Sequence, residues 1–183
     1  MDQLSTKRCL LTAITEQDII TLLAFFERAE NLYYYLPTEL KNFDLKSLET
    51  ELSQWSDGQS NLAWAIRLKS GETIGIANFE DIDYDNLTAE LGLLIAFPEY
   101  RGRGLAKEVA QSLFRYAFED LALNRVSCRV MEGNEASFRL IASLGFRKEG
   151  IMVEALRRPD RYLDLHYFAL LKREWLQEET VND

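Results

Sequence analysis

The sequence predicts an α+β fold, a mostly antiparallel central sheet of about seven strands flanked by helices on both faces. Three observations carry that expectation. Apolar residues recur at strand period in some stretches and at helical period in others, and in chain order these run β-α-α-β-β-β-α-β-α-β-β. Turn-forming tetrads at Lys69–Glu72 and Asp83–Asn86 join strand-like runs directly, which suits antiparallel pairs better than a doubly wound parallel sheet. No repeat, low-complexity tract or Pro/Gly/Ser linker interrupts the chain, so residues 1–183 read as one domain.

Each element has a local reason. Lys7 to Ala13 alternates loosely and reads as a first strand. Thr15 is placed as a helix N-cap, with Glu16 and Asp18 in the first turn and Ile19, Ile20, Leu22, Leu23, Phe25 and Phe26 as the apolar face. Leu36–Pro37 closes that region, and Asp44 to Trp55 supplies a second helix with Leu45, Leu48, Leu52 and Trp55 on one side. Asn61 to Leu68 and Thr73 to Phe79 form a hairpin, and a third strand follows the second turn. Gly104 to Leu121 repeats Leu105, Val109, Leu113, Ala117 and Leu121 at helical spacing. Arg125 to Val130 reads as a strand, and Asn134 to Leu144 as a helix closed by Gly145, where a C′ glycine belongs. Ile151 to Leu156 and Arg161 to Leu171 are the last strands, and Lys172 to Glu178 is a short final helix or a frayed end.

Composition excludes several classes. The chain is 47% hydrophobic and 28% charged, the balance of a water-soluble domain large enough for a proper core. No apolar run approaches the ~18 residues of a membrane span, and Met1 to Ser5 has no signal-peptide character, so the expected location is the cytoplasm with no membrane partner. The net charge of −9 argues against nucleic acid as a partner and suits a cationic amine. Cys9 and Cys128 lie in apolar runs and read as buried free thiols. One histidine, His166, and no Cys/His cluster predict no metal site.

Ala89 to Ala106, AELGLLIAFPEYRGRGLA, is the most informative stretch. An apolar strand is stopped by Pro98, a basic glycine-spaced turn follows, and a helix opens at Leu105–Ala106. The amides of a helix's first turn have no intrahelical partners and carry partial positive charge, so such a turn suits a pyrophosphate. A Walker loop is excluded because Leu105 and Ala106 stand where Lys and Ser/Thr would be required. A dinucleotide fingerprint is excluded because Lys107 stands where its third glycine would be.

What remains, Arg101-x-x-Gly104-x-Ala106, resembles the Q/R-x-x-G-x-G/A signature of the GNAT acetyltransferase superfamily. Asn134-Glu135-Ala136-Ser137, Leu144-Gly145-Phe146-x-x-Glu149-Gly150, Asp160-x-Tyr162-x-Asp164 and Leu170-Leu171-x-x-Glu174-Trp175 extend the resemblance to one branch. That branch holds the ribosomal-protein N-terminal alanine acetyltransferases and the spermidine acetyltransferases. The resemblance implies the GNAT fold and acetyl-coenzyme A as co-substrate. It implies that main-chain groups of Leu94, Ile95 and Ala96 meet the pantetheine arm, and that the backbone of Arg101, Gly102, Arg103, Gly104, Leu105 and Ala106 wraps the pyrophosphate. Asn134 would bind the cofactor from the next helix.

Acetyl transfer to an amine needs a neutral amine and a proton for the leaving thiolate. Glu90, on the strand side of Gly92 and Leu94, is the candidate base. Ser137 is the candidate donor to the sulfur, since it matches the serine that the resemblance implies for the alanine-type enzymes. The tyrosine that other members carry seven residues after the asparagine is replaced by Ile141. Tyr33 and Tyr35, in a run at a helix end, are candidate walls of an acceptor pocket. A protein α-amine costs roughly 1 kcal/mol to neutralise at pH 7, against roughly 4–5 for a lysine-like amine, which tilts the reading to a protein N-terminus. A small-molecule amine acetyltransferase and a non-catalytic acyl-coenzyme A sensor stay open as alternatives, as does a homodimer through exposed sheet edges.

Overall fold

The structure, a computed structural model, describes residues 2–35 and 43–182. Its elements are β1 (Leu4–Ser5), β2 (Cys9–Ala13), α1 (Glu16–Phe26), α2 (Leu45–Gln54), β3 (Leu62–Leu68), β4 (Thr73–Asp83), β5 (Thr88–Ile95), α3 (Leu105–Arg115), β6 (Arg125–Met131), α4 (Glu135–Ser143), β7 (Arg147–Arg157), β8 (Tyr162–Leu171) and α5 (Lys172–Asn182). The eight strands form one sheet in the order β1-β2-β3-β4-β5-β6-β8-β7. Every pairing is antiparallel except β5 with β6, so the expected fold class stands, with a two-residue strand added at the front.

Strand alternation divides the core between the two faces. Ile76, Leu94 and Ala96 meet Leu22, Phe26, Phe43 and Leu48 under α1 and α2. On the opposite face Phe79, Leu91, Ile95, Val126 and Cys128 meet Val109, Leu113 and Phe114 of α3. Phe26 anchors the first cluster, edge-to-face with Phe25, Phe43, Tyr35 and Trp55.

The caps expected at Thr15 and Gly145 are present, and a further one stands at Asp44. Thr15 and Asp18 form a capping box, Asp44 caps α2 through Ser47, and Gly145 takes a left-handed φ of 75° just past α4. The single helix expected over 104–121 changes its winding, because after Arg115 the chain makes a π-turn at Tyr116–Asp120 and closes with Leu121 N–H on Tyr116 O. β7 begins at Arg147, earlier than expected, and the stop expected at Leu36–Pro37 lies outside the described residues. Among the described residues no helix is long and apolar enough to cross a membrane, and no group of three or more His, Cys, Asp or Glu could hold a metal ion.

Candidate active site

The site begins where two parallel strands part. The β5–β6 ladder runs Thr88↔Arg125, Ala89↔Val126, Glu90↔Ser127 and stops there, although β5 continues to Ile95 and β6 to Met131. Beyond Glu90, Leu94 O faces β4, close enough that a Cβ on Gly75 would stand 1.9 Å from it, and Ala96 N–H donates to Ile74 O. By alternation the backbone groups of Leu93 and Ile95, rather than Leu94 O and Ala96 N–H, face the other way, into the gap that β6 has left, where the Ile95 carbonyl already accepts from Arg101 Nε. The gap is therefore an exposed strand edge able to take an extended amide-bearing ligand as a further strand.

A cavity of about 310 Å³ opens at the parting point. Gly92, with no side chain, makes room on β5, while Glu90, Asn78 and Glu80 stand on the same face. Met131 and Arg129 enter from β6, Asn134 and Ser137 from the start of α4, Trp55 and Glu51 from α2, and Tyr34 and Tyr35 from the segment after the 3₁₀ turn Ala29–Leu32. The cavity thus joins the candidate base to the candidate acid.

Electrostatics at this point are unusual. The β4–β5 register sets Glu80 directly opposite Glu90. Like charges in that relation repel, and each carboxylate here has a donor. Asn78 Nδ2 donates to Glu80 Oε1 at 2.6 Å, and Arg129 Nε to Glu90 Oε1 at 2.5 Å. Burial pushes the Glu90 carboxyl above the ordinary carboxylate range; the Arg129 bond pulls it back, and Glu80 and Asp81 add to the rise. Burial, with Glu80 adding to it, likewise raises the Tyr35 hydroxyl, and burial, then Glu90, raises the Cys128 thiol to about 12, which keeps it unreactive.

The turn after β5 is open on its outer side. Gly102 and Gly104 have φ of 69° and 76°; a Cβ on Gly102 would meet nothing within 4 Å, and one on Gly104 only Arg8 Nη2 at 3.6 Å. Positive φ at the two glycines lets the chain turn sharply ahead of α3, whose first-turn N–H groups carry partial positive charge. The Arg101 side chain folds back, Nε to Ile95 O at 2.9 Å and Nη2 to Ala96 O at 2.6 Å. Arg103 O accepts from Arg8 Nη1 at 2.9 Å. Leu105 is buried and Ala106 half-buried at the start of α3. These features fit a pyrophosphate held by main-chain amides, with an acyl-bearing arm along the gap beside β5.

Other expected residues divide. Asn134 caps α4, its Oδ1 accepting from Ser137 N–H at 3.2 Å, and still lines the cavity. Ile141 is buried in the core. Tyr35 lines the cavity, but Tyr33 does not: its ring lies 5.2 Å under the guanidinium of buried Arg158, which also bonds its carbonyl, and the neighbouring Tyr34 faces the cavity instead. Trp64 is wholly buried in the core, and Phe43 is a core residue under α1. Glu80 and Arg129 escaped the sequence reading, since only cross-strand register brings them to Glu90. The trace they left was alternation on β6, which sets Ser127 and Arg129 on one face and Val126, Cys128 and Val130 on the other.

Comparison with known proteins agrees with this geometry. A family model described as an acetyltransferase (GNAT) domain matches residues 8–147. The uncharacterised N-acetyltransferase p20 of Bacillus licheniformis is 32% identical over 96% of this chain and 99% of its own. YdaF of Bacillus subtilis, provisionally named a ribosomal N-acetyltransferase, is 38% identical over 72% of each chain. The fold is shared with the spermidine N-acetyltransferase of Vibrio cholerae, solved in complex with CoA and spermine, at a TM-score of 0.82 and 22% identity over 92% of this chain and 98% of that one.

Proposed function

We propose that this chain, which belongs to the GNAT acetyltransferase family and is an acetyl-CoA-dependent N-acetyltransferase, delivers its acetyl group to a protein N-terminal α-amine of the alanine type. The observation that carries this reading is that Glu90 and Ser137 line one cavity, at the point where β5 and β6 part. Acetyl-CoA, when bound, supplies an activated thioester. The turn Arg101–Ala106 would hold its pyrophosphate through main-chain amides, the Leu94–Ala96 segment would lie along its pantetheine arm, and Asn134 would add a side-chain contact. Glu90 takes the proton of the acceptor amine, directly or through one water, and Ser137 stands where a hydroxyl can protonate a departing thiolate. Holding amine and thioester together in one cavity supplies much of the rate.

The charge of the cavity narrows the acceptor. Among the described residues, Glu51, Glu80 and Glu90 face it with one cation, Arg129. A free amino acid would bring its own carboxylate against that field, whereas a peptide N-terminus brings only the amine. An α-amine near pKa 8 needs roughly 1 kcal/mol to neutralise at pH 7, within reach of a single carboxylate base. The likeness to YdaF supports the same choice.

The three carboxylates also favour a second reading, a polyamine acceptor, and relatives named as spermidine acetyltransferases support it. Thiol release with peptides starting in Ala or Ser, with spermidine and with free alanine separates the two. Turnover of the peptides far above the rest is the expected result; preference for spermidine replaces the first reading with the second.

A further inference from the structure

We propose that Arg129 is a positioning residue of the transfer reaction, holding the Glu90 carboxylate in one orientation at the cavity against the like charge that stands directly across the ladder. The inference rests on the reading of Glu90 as the base.

Register explains why an arginine is needed there and why this one reaches. Glu80 and Glu90 are cross-strand partners on one face, and free Glu90 rotamers would be driven away from Glu80 in no fixed direction. Ser127 is the β6 partner of Glu90 at the last rung of the parallel ladder. Arg129 lies two residues further along β6, on the same face, and such a diagonal position is within reach of a long side chain. Because the ladder ends at that rung, the arginine spans open space and meets Glu90 at the cavity wall.

The contact is made by Nε at 2.5 Å and engages Oε1, which leaves Oε2 to take the proton of the acceptor nitrogen. The other charges acting on Glu90 are Glu80 and Asp81 of β4, while the Cys128 thiol of β6 lies on the opposite face of the sheet. Glu51 of α2 and the hydroxyls of Tyr34 and Tyr35 line the same cavity. Among the described residues lining it, Arg129 is the one cation. The rigid planar guanidinium also fixes the direction of that single Nε bond, where a lysine would bring only a mobile point charge.

The test compares Arg129→Gln, Arg129→Lys and Glu90→Gln in steady-state thiol release with an alanine-starting peptide, from mildly acid to mildly alkaline pH. For Arg129→Gln we expect the acid limb of kcat/KM to move up by about one pH unit, a tenfold loss of rate on that limb. The KM for acetyl-CoA should not change. Arg129→Lys should restore the limb but not kcat, and the double variant Glu90→Gln/Arg129→Gln should be no slower than Glu90→Gln alone. An Arg129→Gln enzyme with the parent limb and kcat, beside an impaired Glu90→Gln enzyme, overturns this proposal only. A Glu90→Gln enzyme with the parent profile overturns the base assignment and this proposal with it. If Arg129→Gln does not fold, as melting would reveal, Arg129→Lys decides, and parental kcat in that variant refutes the role.

Discussion

Arg101 donates from Nε to the carbonyl of Ile95 at 2.9 Å, so the glycine turn is tied to the last residue of β5. A second bond, Nη2 to Ala96 O, makes the tie bidentate. The guanidinium thus sets the angle between strand and turn instead of reaching for an anion.

Replacing it should loosen that angle while leaving the amides present. For Arg101→Met we expect CoA affinity, measured by calorimetry, to fall about tenfold, the scale of one charged-donor hydrogen bond. Unchanged affinity would show that the turn holds its shape without the tie.

Glu90 yields a pH prediction with a definite sign. Burial raises the carboxyl, with Glu80 and Asp81 adding to the rise, so Glu90 gains its proton at a higher pH than a free glutamate. The base form is lost as pH falls through that raised value. The acid limb of kcat/KM should therefore lie above the ordinary carboxylate range of about 4.3. Glu90→Gln should remove the limb and lower the plateau by about 10²-fold, with the two profiles converging at low pH. An acid limb that survives the substitution belongs to another group.

Ser137 can be tested without disturbing the helix it opens. The cap bond uses its backbone N–H, with Asn134 Oδ1 as acceptor, so Ser137→Ala leaves α4 capped. Melting temperature should hold while kcat drops by about 10²-fold, the usual weight of a general acid, with little change in either KM. Retained kcat would leave the hydroxyl a bystander.

Much of the fold could be read from the chain because its signals are local. The spacing of Ile19 to Phe26 and of Leu105 to Leu113 marks helices, and strict alternation puts Glu90 in phase with Gly92 and Leu94 on β5. What escaped is set by contacts distant in sequence. Arg129 meets Glu90 across 39 residues through register alone. Three consecutive tyrosines cannot all face one way, and the one turned from the cavity is chosen by Arg158, 125 residues downstream. The π-turn at Tyr116–Asp120 has the same amphipathic pattern as an α-helix and leaves no mark in the spacing.

A buried carboxylate ties the start of α1 to β3 and β4. Asp18 is fully buried; it accepts from Thr73 Oγ1 and Arg67 Nη2 at 2.6 Å each, and from Thr15 N–H at 2.8 Å. Asp18→Asn keeps the size but leaves the Arg67 guanidinium without its countercharge. The loss should be about 3 kcal/mol in chemical denaturation, the scale for breaking a buried pair from one side. A loss under about 1 kcal/mol would mean that solvent reaches Arg67 well enough to replace the carboxylate.

Two glycines near β5 should fail in opposite ways. A Cβ on Gly75 would lie 1.9 Å from Leu94 O and 3.2 Å from Ile95 Cα, both backbone atoms, so β4 and β5 would have to separate. Gly75→Ala should cost at least about 3 kcal/mol and disrupt the strand edge together with the fold. Gly104 has φ 76°, and an added Cβ would meet only Arg8 Nη2 at an ordinary 3.6 Å, so Gly104→Ala costs only a strained backbone, about 1–2 kcal/mol. Its added methyl points where a pyrophosphate would approach. Gly104→Ala should therefore stay folded and lose CoA affinity, and Gly75→Ala should lose both together. Denaturation curves and CoA titrations on the two variants check the contrast; a well-folded Gly104→Ala protein with parental affinity would remove the turn from the ligand site.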